Sequence, residues 1–383
     1  MSRIISGMHI LCALVFCLFS FSYLYFYQSD VLAVAQHVAS DGKTYYIPFV
    51  YDLITTIILL LLQICVFKIS KLYLRFHWLT YLPSLLILTF ITDVPPSITE
   101  GIGLGVWIWV FPLTLAIIAF AIYLARNYQE IEPLQKEALI MSNLLWMNII
   151  PIGICLTLMG FISSNDLEFH KQAHIERLIL QGEYEKAYDM TFQLAKDNQS
   201  ALMLRSYALW LGNQLGERLF EHPIYGTSKM LAPGSDSIKT YLLPEEPLKR
   251  RVRLNVEYVL CRKLIDRDLK SFSFVLHKYY PQDVKLQKHY REALALDNDM
   301  TSHCDSLWRD SVTEVSLSRF KFLLAGEDSA KMCKSPIRIN KNLIPHPSRI
   351  KLKEQFGNTY WYYYYKLEDS LTHVSHAFDM LSV

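Results

Sequence analysis

Asp30, His37, Asp41 and Lys43 stand in one short stretch after the first long apolar run. A carboxylate or imidazole there can take a proton from a hydroxyl nucleophile, so Asp30, His37 and Asp41 are the catalytic candidates. A solvated loop accounts for the same residues without chemistry. His170 and His174 lie four apart on one helix face. The HExxH arrangement of a zinc site is absent, so a surface pair is the simpler reading. His373 and His376 read the same way, and no metal or cofactor is expected. Of the seven cysteines, Cys12, Cys17, Cys65 and Cys155 lie in apolar runs and act as small apolar residues. Cys261, Cys304 and Cys333 remain, and in an oxidising compartment Cys304 and Cys333 are the first choice for a bridge. There is no P-loop, no Rossmann glycine pattern and no GxSxG elbow. A net charge of +2 makes no electrostatic case for nucleic acid.

The elements that would carry these residues are mostly membrane spans. Hydrophobic residues make up 52% of the 383, and the charged residues concentrate after position 162. A helix needs about 20 apolar residues to cross the hydrocarbon core. Five segments qualify or nearly do: Ile4–Tyr27, Pro48–Phe67, Trp78–Thr92, Gly105–Ala125 and Leu139–Ile162. The third is short and needs anchoring at the interface to reach across. The first is about twice as long as a signal-peptide core and reads as a retained span, although Ala33-Val34-Ala35 offers a cleavage pattern. Asp52, Gln63, Asn143 and Asn148 fall in or near spans, where polar groups mark pathways or interhelical hydrogen bonds.

Basic residues set the orientation. With the N-terminus inside, the inner segments carry Arg3, Lys68, Lys71, Arg75, Arg126 and Lys136, and the outer loops 28–47 and 93–104 carry Lys43 alone. This bias predicts a transmembrane domain over residues 1–162 and an extracytoplasmic domain over 163–383.

Residues 163–383 read as all-α. Ser163 to Asp166 are helix-capping types, and Gly182 is a natural stop. Tyr184, Ala187, Tyr188, Thr191, Leu194 and Ala195 then recur at helical spacing. Residues 223–246 carry Pro223, Pro233-Gly234 and Pro244 and read as a surface loop. Lys249-Arg-Arg-Val-Arg253 reads as a solvated helix face, with anionic lipid headgroups as the alternative. Tyr360-Trp-Tyr-Tyr-Tyr-Tyr365 is the most unusual run. It suits a closing helix or an interaction surface, and Tyr360, Trp361, Tyr363 and Tyr364 are the candidates for the latter.

Gly182, Tyr184 and Ala187, within His174–Ala187, resemble the inter-helix turn of a tetratricopeptide repeat, over about one repeat. Ala35-Gln-His-Val38, His289-Tyr-Arg-Glu-Ala-Leu294 and Phe356-Gly-Asn-Thr-Tyr-Trp361 resemble an uncharacterised family of bacterial multi-spanning proteins with a tetratricopeptide-like outer domain. That resemblance implies a bacterial plasma-membrane protein of shared architecture and supplies no activity. The leading expectation is a membrane-anchored interaction or scaffold protein whose helical domain meets another envelope protein or peptide. The rival is an envelope glycan- or lipid-modifying transferase acting at Asp30, His37 and Asp41, because lipid-dependent glycosyltransferases place an acid in such a loop. Those enzymes generally have more spans. A reporter fused after Val383 is expected to behave as extracytoplasmic, and cytoplasmic activity at that position would overturn the orientation.

Overall fold

The protein is described from a computed structural model. It describes residues 2–101, 103–127, 137–196, 198–231, 238–244, 248, 250–251, 255–280, 285–301, 308, 310–332 and 347–365. Cys304, Cys333, His373, His376, Lys136, Lys249 and Arg253, and the side chain of Asn143, lie outside what is described. All regular elements among the described residues are helical. Two compact units divide the chain, Met1–Arg177 and Leu178–Val383.

In the first unit, α1 (Ser2–Ser22) passes through a π-helical turn, Tyr23–Gln28, into α2 (Ser29–Ala39). Asp30 and His37 are thus helical residues, where an irregular outer loop was expected. The apolar run Val31-Leu-Ala-Val-Ala35 sustains the helix, which ends at Ala39 and is closed by a turn through Gly42. That glycine sits at φ +72° and donates its N–H to the His37 carbonyl at 2.8 Å. The further apolar helices are α3 (Pro48–Ser70), α4 (Leu82–Thr92), α5 (Trp107–Asn127) and α6 (Glu137–Ile162).

The third crossing has an unexpected form. A 3-10 stretch, Leu74–Tyr81, runs directly into α4, giving one apolar segment from Leu74 to Thr92. The 3-10 stretch is kinked at Phe76. A 3-10 turn rises about 2.0 Å per residue against about 1.5 Å in an α-helix, so its residues lengthen a segment that α4 alone leaves short of the hydrocarbon thickness. Irregular backbone at membrane depth must be buried in protein. Accordingly 56% of this segment is buried, against 22% or less for each of the other four. Asn148 of α6 satisfies the interrupted ladder. Its side-chain oxygen accepts the Trp78 N–H at 2.9 Å, and its amide donates to the Leu74 carbonyl at 2.9 Å. Gln63 of α3 donates to Thr80 at 2.9 Å. Five helices are therefore long and apolar enough to cross a bilayer, and the chain is a membrane protein.

The unit boundary falls inside α7 (Leu167–Leu180), later than the change of composition at residue 162. His174 and Arg177 on this helix bind Asp30, which ties its first three turns to the membrane unit.

The second unit contains α8 (Tyr184–Met190), α9 (Ser200–Leu211), α10 (Leu215–Arg218), α11 (Val256–Ile265), α12 (Leu269–Tyr279), α13 (Lys288–Thr301), α14 (Ser311–Met332), α15 (Pro347–Phe356) and α16 (Tyr360–Tyr364). Asn255, Asp268 and Thr359 cap α11, α12 and α16 by accepting backbone N–H groups. α8 has seven residues and α10 four, too short for the matched helix pairs of a regular repeat.

A buried hub joins α13 to α16. The Glu292 carboxylate accepts the Tyr360 N–H at 2.7 Å and faces His289 Nδ1 at 3.0 Å. His289 Nε2 accepts the Phe220 N–H at 3.3 Å, so Nδ1 carries the proton and donates to Glu292. The Trp361 indole donates to the Glu292 carbonyl at 2.8 Å. Tyr360 and Tyr363 donate their hydroxyls to the carbonyls of Leu264 and Ile265, at 3.1 and 2.9 Å.

This arrangement bears on the two readings of the aromatic run, a closing helix or an interaction surface. Tyr360, Trp361 and Tyr363 are buried, with Tyr362, and Tyr364 is half-buried. Successive helical side chains diverge by about 100°, so one neighbouring face cannot receive them all. Here α16 is enclosed instead of laid on a face, with α13, the end of α11, Phe220 and Phe320 around it. Replacing Glu292 with Leu strands the His289 and Tyr360 donors. Thermal or denaturant unfolding of the full chain in detergent should show a loss on the order of 3 kcal/mol. An unchanged transition would mean that the hub contributes nothing.

Candidate functional site

Two places carry organised polar groups, one in each unit. The first is a layer at the end of the membrane unit where the π-helical turn lies. A π-turn re-phases the helix that follows and is frequent at functional positions. Here Gln28, the last residue of the turn, and Ser29 just beyond it are buried. Gln28 donates to the Tyr23 hydroxyl at 2.7 Å, and Tyr23 bonds Ser163. Tyr27 donates to Asn165 at 3.1 Å. The Asp30 carboxylate is clamped on both sides, by Arg177 Nε at 2.8 Å and His174 Nδ1 at 3.0 Å. Arg177 also donates to Ser29 at 3.2 Å. Tyr46 donates its hydroxyl to the buried Asp52. Burial first, and then this bond, push the Tyr46 phenol well above its ordinary range.

The catalytic candidates have different surroundings. Asp30 is an ion-pair partner and not a free base, because both of its oxygens face cations or donors. His37 lies beside Gly42, its ring 3.1 Å from where a Cβ on that glycine would fall. Asp41 is exposed in the turn, with Lys43 at 3.7 Å. The His170–His174 pair is also divided, since His170 Nε2 meets the Ser164 carbonyl at 3.1 Å while His174 turns to Asp30.

The second place is a recess of about 190 Å³ in the C-terminal unit. Thr191, Phe192, Leu194, Ala195, Lys196 and Asn198, which follow α8, form one wall, and Leu202 and Arg205 of α9 form the floor. His222, Pro223 and Tyr225 close the other side. This outer wall is held through the hub, since Phe220 just before it bonds His289. α9 is buried almost all round, and Arg205 is the one cation on its buried stretch. The guanidinium stacks on the Phe192 ring at 4.3 Å. Nε donates to Thr191 at 3.4 Å and Nη1 to the Pro223 carbonyl at 3.2 Å. Burial pulls the Arg205 pKa below its ordinary value. The His222 ring lies 4.4 Å from Phe192, and burial, then the Arg205 charge, lower its pKa. His222 is consequently neutral at pH 7. The Lys196 ammonium sits over Tyr225 at 5.6 Å.

Thr191, Leu194, Ala195 and Pro223 were legible in the sequence as helix or loop residues, but no motif marked the recess as a site. One signal was present: an arginine inside Leu202-Met-Leu-Arg-Ser-Tyr-Ala-Leu209, a stretch too apolar to be a solvated face.

The profile of a family of unknown function (DUF6057) matches residues 249–367. No curated protein and no solved structure matches the chain. The matched stretch lies in the C-terminal unit and includes both His289–Leu294 and Phe356–Trp361, the two segments that meet at Glu292. It therefore covers the hub that supports the recess and stops short of the recess itself, whose lining ends at Tyr225.

Replacing Asp30 with Asn leaves the partly buried Arg177 without its counter-charge, at an expected cost of about 1–3 kcal/mol. Melting of the full chain in detergent reads this, and the double variant Asp30→Asn/Arg177→Gln should recover part of the loss. An Asp30→Asn protein that melts like the parent would show that the ion pair is not structural.

Proposed function

We propose that this protein is a membrane-anchored binding protein, with its C-terminal helical unit on the extracytoplasmic side of a bacterial plasma membrane. The observation that carries the reading is the recess between Thr191–Lys196 on one side and His222, Pro223 and Tyr225 on the other, built on a buried arginine and lined by exposed aromatic rings. Such a concavity receives part of another molecule. The partner class is another envelope protein or peptide, as expected for a helical unit carried on spans. The turn at Gly182, with φ +82° and its N–H donated to Ile179, supports the tetratricopeptide-like character of this one hairpin.

The transferase alternative has less support. It needs Asp30, His37 and Asp41 to act on a substrate together, and Asp30 is already paired with Arg177 and His174. The extracytoplasmic side rests on the bias of basic residues.

A photo-reactive side chain in place of Tyr225 should yield discrete adducts in native membranes, whereas one in place of the exposed Phe274 should not. Equal labelling from both positions, or none from 225, would overturn the binding role of the recess.

A further inference from the structure

We propose that the recess floored by Arg205 recognises an oxyanion, a carboxylate or a phosphate, borne on an aromatic or apolar body. This rests on the reading of the recess as a binding site and assigns the chemistry of what it takes.

The argument begins with the cost of Arg205. The residue is 8% exposed, and a guanidinium removed from water must be compensated. The other partly buried arginines show how this protein usually does so. Arg177 holds Asp30, Arg218 holds Glu185 and Glu221, and Arg291 holds Asp310. Arg267 uses a carbonyl and a ring, but it is less deeply buried. At Arg205 no carboxylate among the described residues comes within ion-pair reach. Its partners are a hydroxyl, a carbonyl and a ring, all neutral. These hold the guanidinium in one orientation through Nε and Nη1. Nη2 has no partner among the described residues, and the residue lines the cavity. An arginine so positioned presents fixed donors to a planar or tetrahedral oxyanion.

The surroundings agree in sign and shape. Lys196 adds a second cation at the rim, and no acidic side chain lines the recess among the described residues. His222, being neutral, adds no competing charge. Phe192 and Tyr225 are 39% and 42% exposed, which leaves ring surface for an apolar body to cover. A volume of about 190 Å³ accepts one ring-sized group with its acid, since cavities of about 150 Å³ hold benzene.

The test uses the full chain in detergent micelles and ligand-observed saturation-transfer NMR. The probes are phenylacetate, phenyl phosphate, neutral phenylacetamide and inorganic phosphate. Both aromatic anions are expected to bind at least about ten-fold more tightly than phenylacetamide, and their order tells a carboxylate source from a phosphate one. Lys196→Gln, at the exposed rim, should weaken the anions by about two- to five-fold without altering the melting temperature. Arg205→Gln should abolish the preference for anions over the amide, with the unfolding transition as the check that it folds. Phenylacetamide binding as tightly as phenylacetate would overturn the oxyanion assignment and leave the recess as a binding site. Inorganic phosphate matching phenyl phosphate would overturn the apolar body. If no probe binds while position 225 still crosslinks a partner, the oxyanion inference alone falls; if neither occurs, both readings fall.

Discussion

Glu292 is one buried carboxylate that takes a proton-bearing imidazole on one side and the first backbone N–H of a closing helix on the other. A carboxylate enclosed by apolar groups is costly unless its acceptor sites are filled, so its partners are constrained by the same energy that places them. His289 passes the constraint on, because its second nitrogen must accept from Phe220. Phe220 leads into the wall at His222 to Tyr225. One hydrogen-bond chain thus runs from the closing aromatic helix, through α13, to the rim of the recess. A binding surface set on short helices and irregular segments needs such support, since it lacks long elements of its own.

The membrane unit meets a similar constraint by a different route. In hydrocarbon every backbone polar group needs a partner, which normally favours an unbroken α-helix. The third crossing departs from this over Leu74–Tyr81 and is tolerated because Asn148 supplies both a donor and an acceptor to it. The extended rise of the 3-10 turns also lengthens a segment that is otherwise short of a span. A polar residue placed within an apolar helix is here a bracket for its neighbour's backbone.

Two clusters of charge in the chain differ in kind. Around Asp30, the carboxylate is matched by the Arg177 cation and also meets His174, and the geometry is that of an anchor between α2 and α7. Around Arg205 the partners among the described residues are a hydroxyl, a carbonyl and one ring, all neutral. Matched charges stabilise an arrangement, while a buried charge oriented by neutral partners keeps a directed interaction available. This contrast points to the C-terminal recess, and not to the acidic stretch near the first span, as the place where another molecule is met.

The amino-acid sequence by itself determined the five apolar crossings, the all-α class and the turn at Gly182, because hydropathy, period and chain-reversal chemistry are local properties. It also singled out His289–Leu294 and Phe356–Trp361, although nothing local says that they meet. What only the tertiary structure decided is how long-range partners use the local pieces. The apolar residues after Asp30 extend the first helix well past the expected span end, and His174 and Arg177, distant in sequence, turn that acid into an anchor. The aromatic run is enclosed rather than displayed because elements from four distant parts of the chain surround it. The recess was invisible for the same reason: Thr191, Arg205 and Pro223 are brought into contact by packing, and no spacing along a chain encodes a contact made across helices.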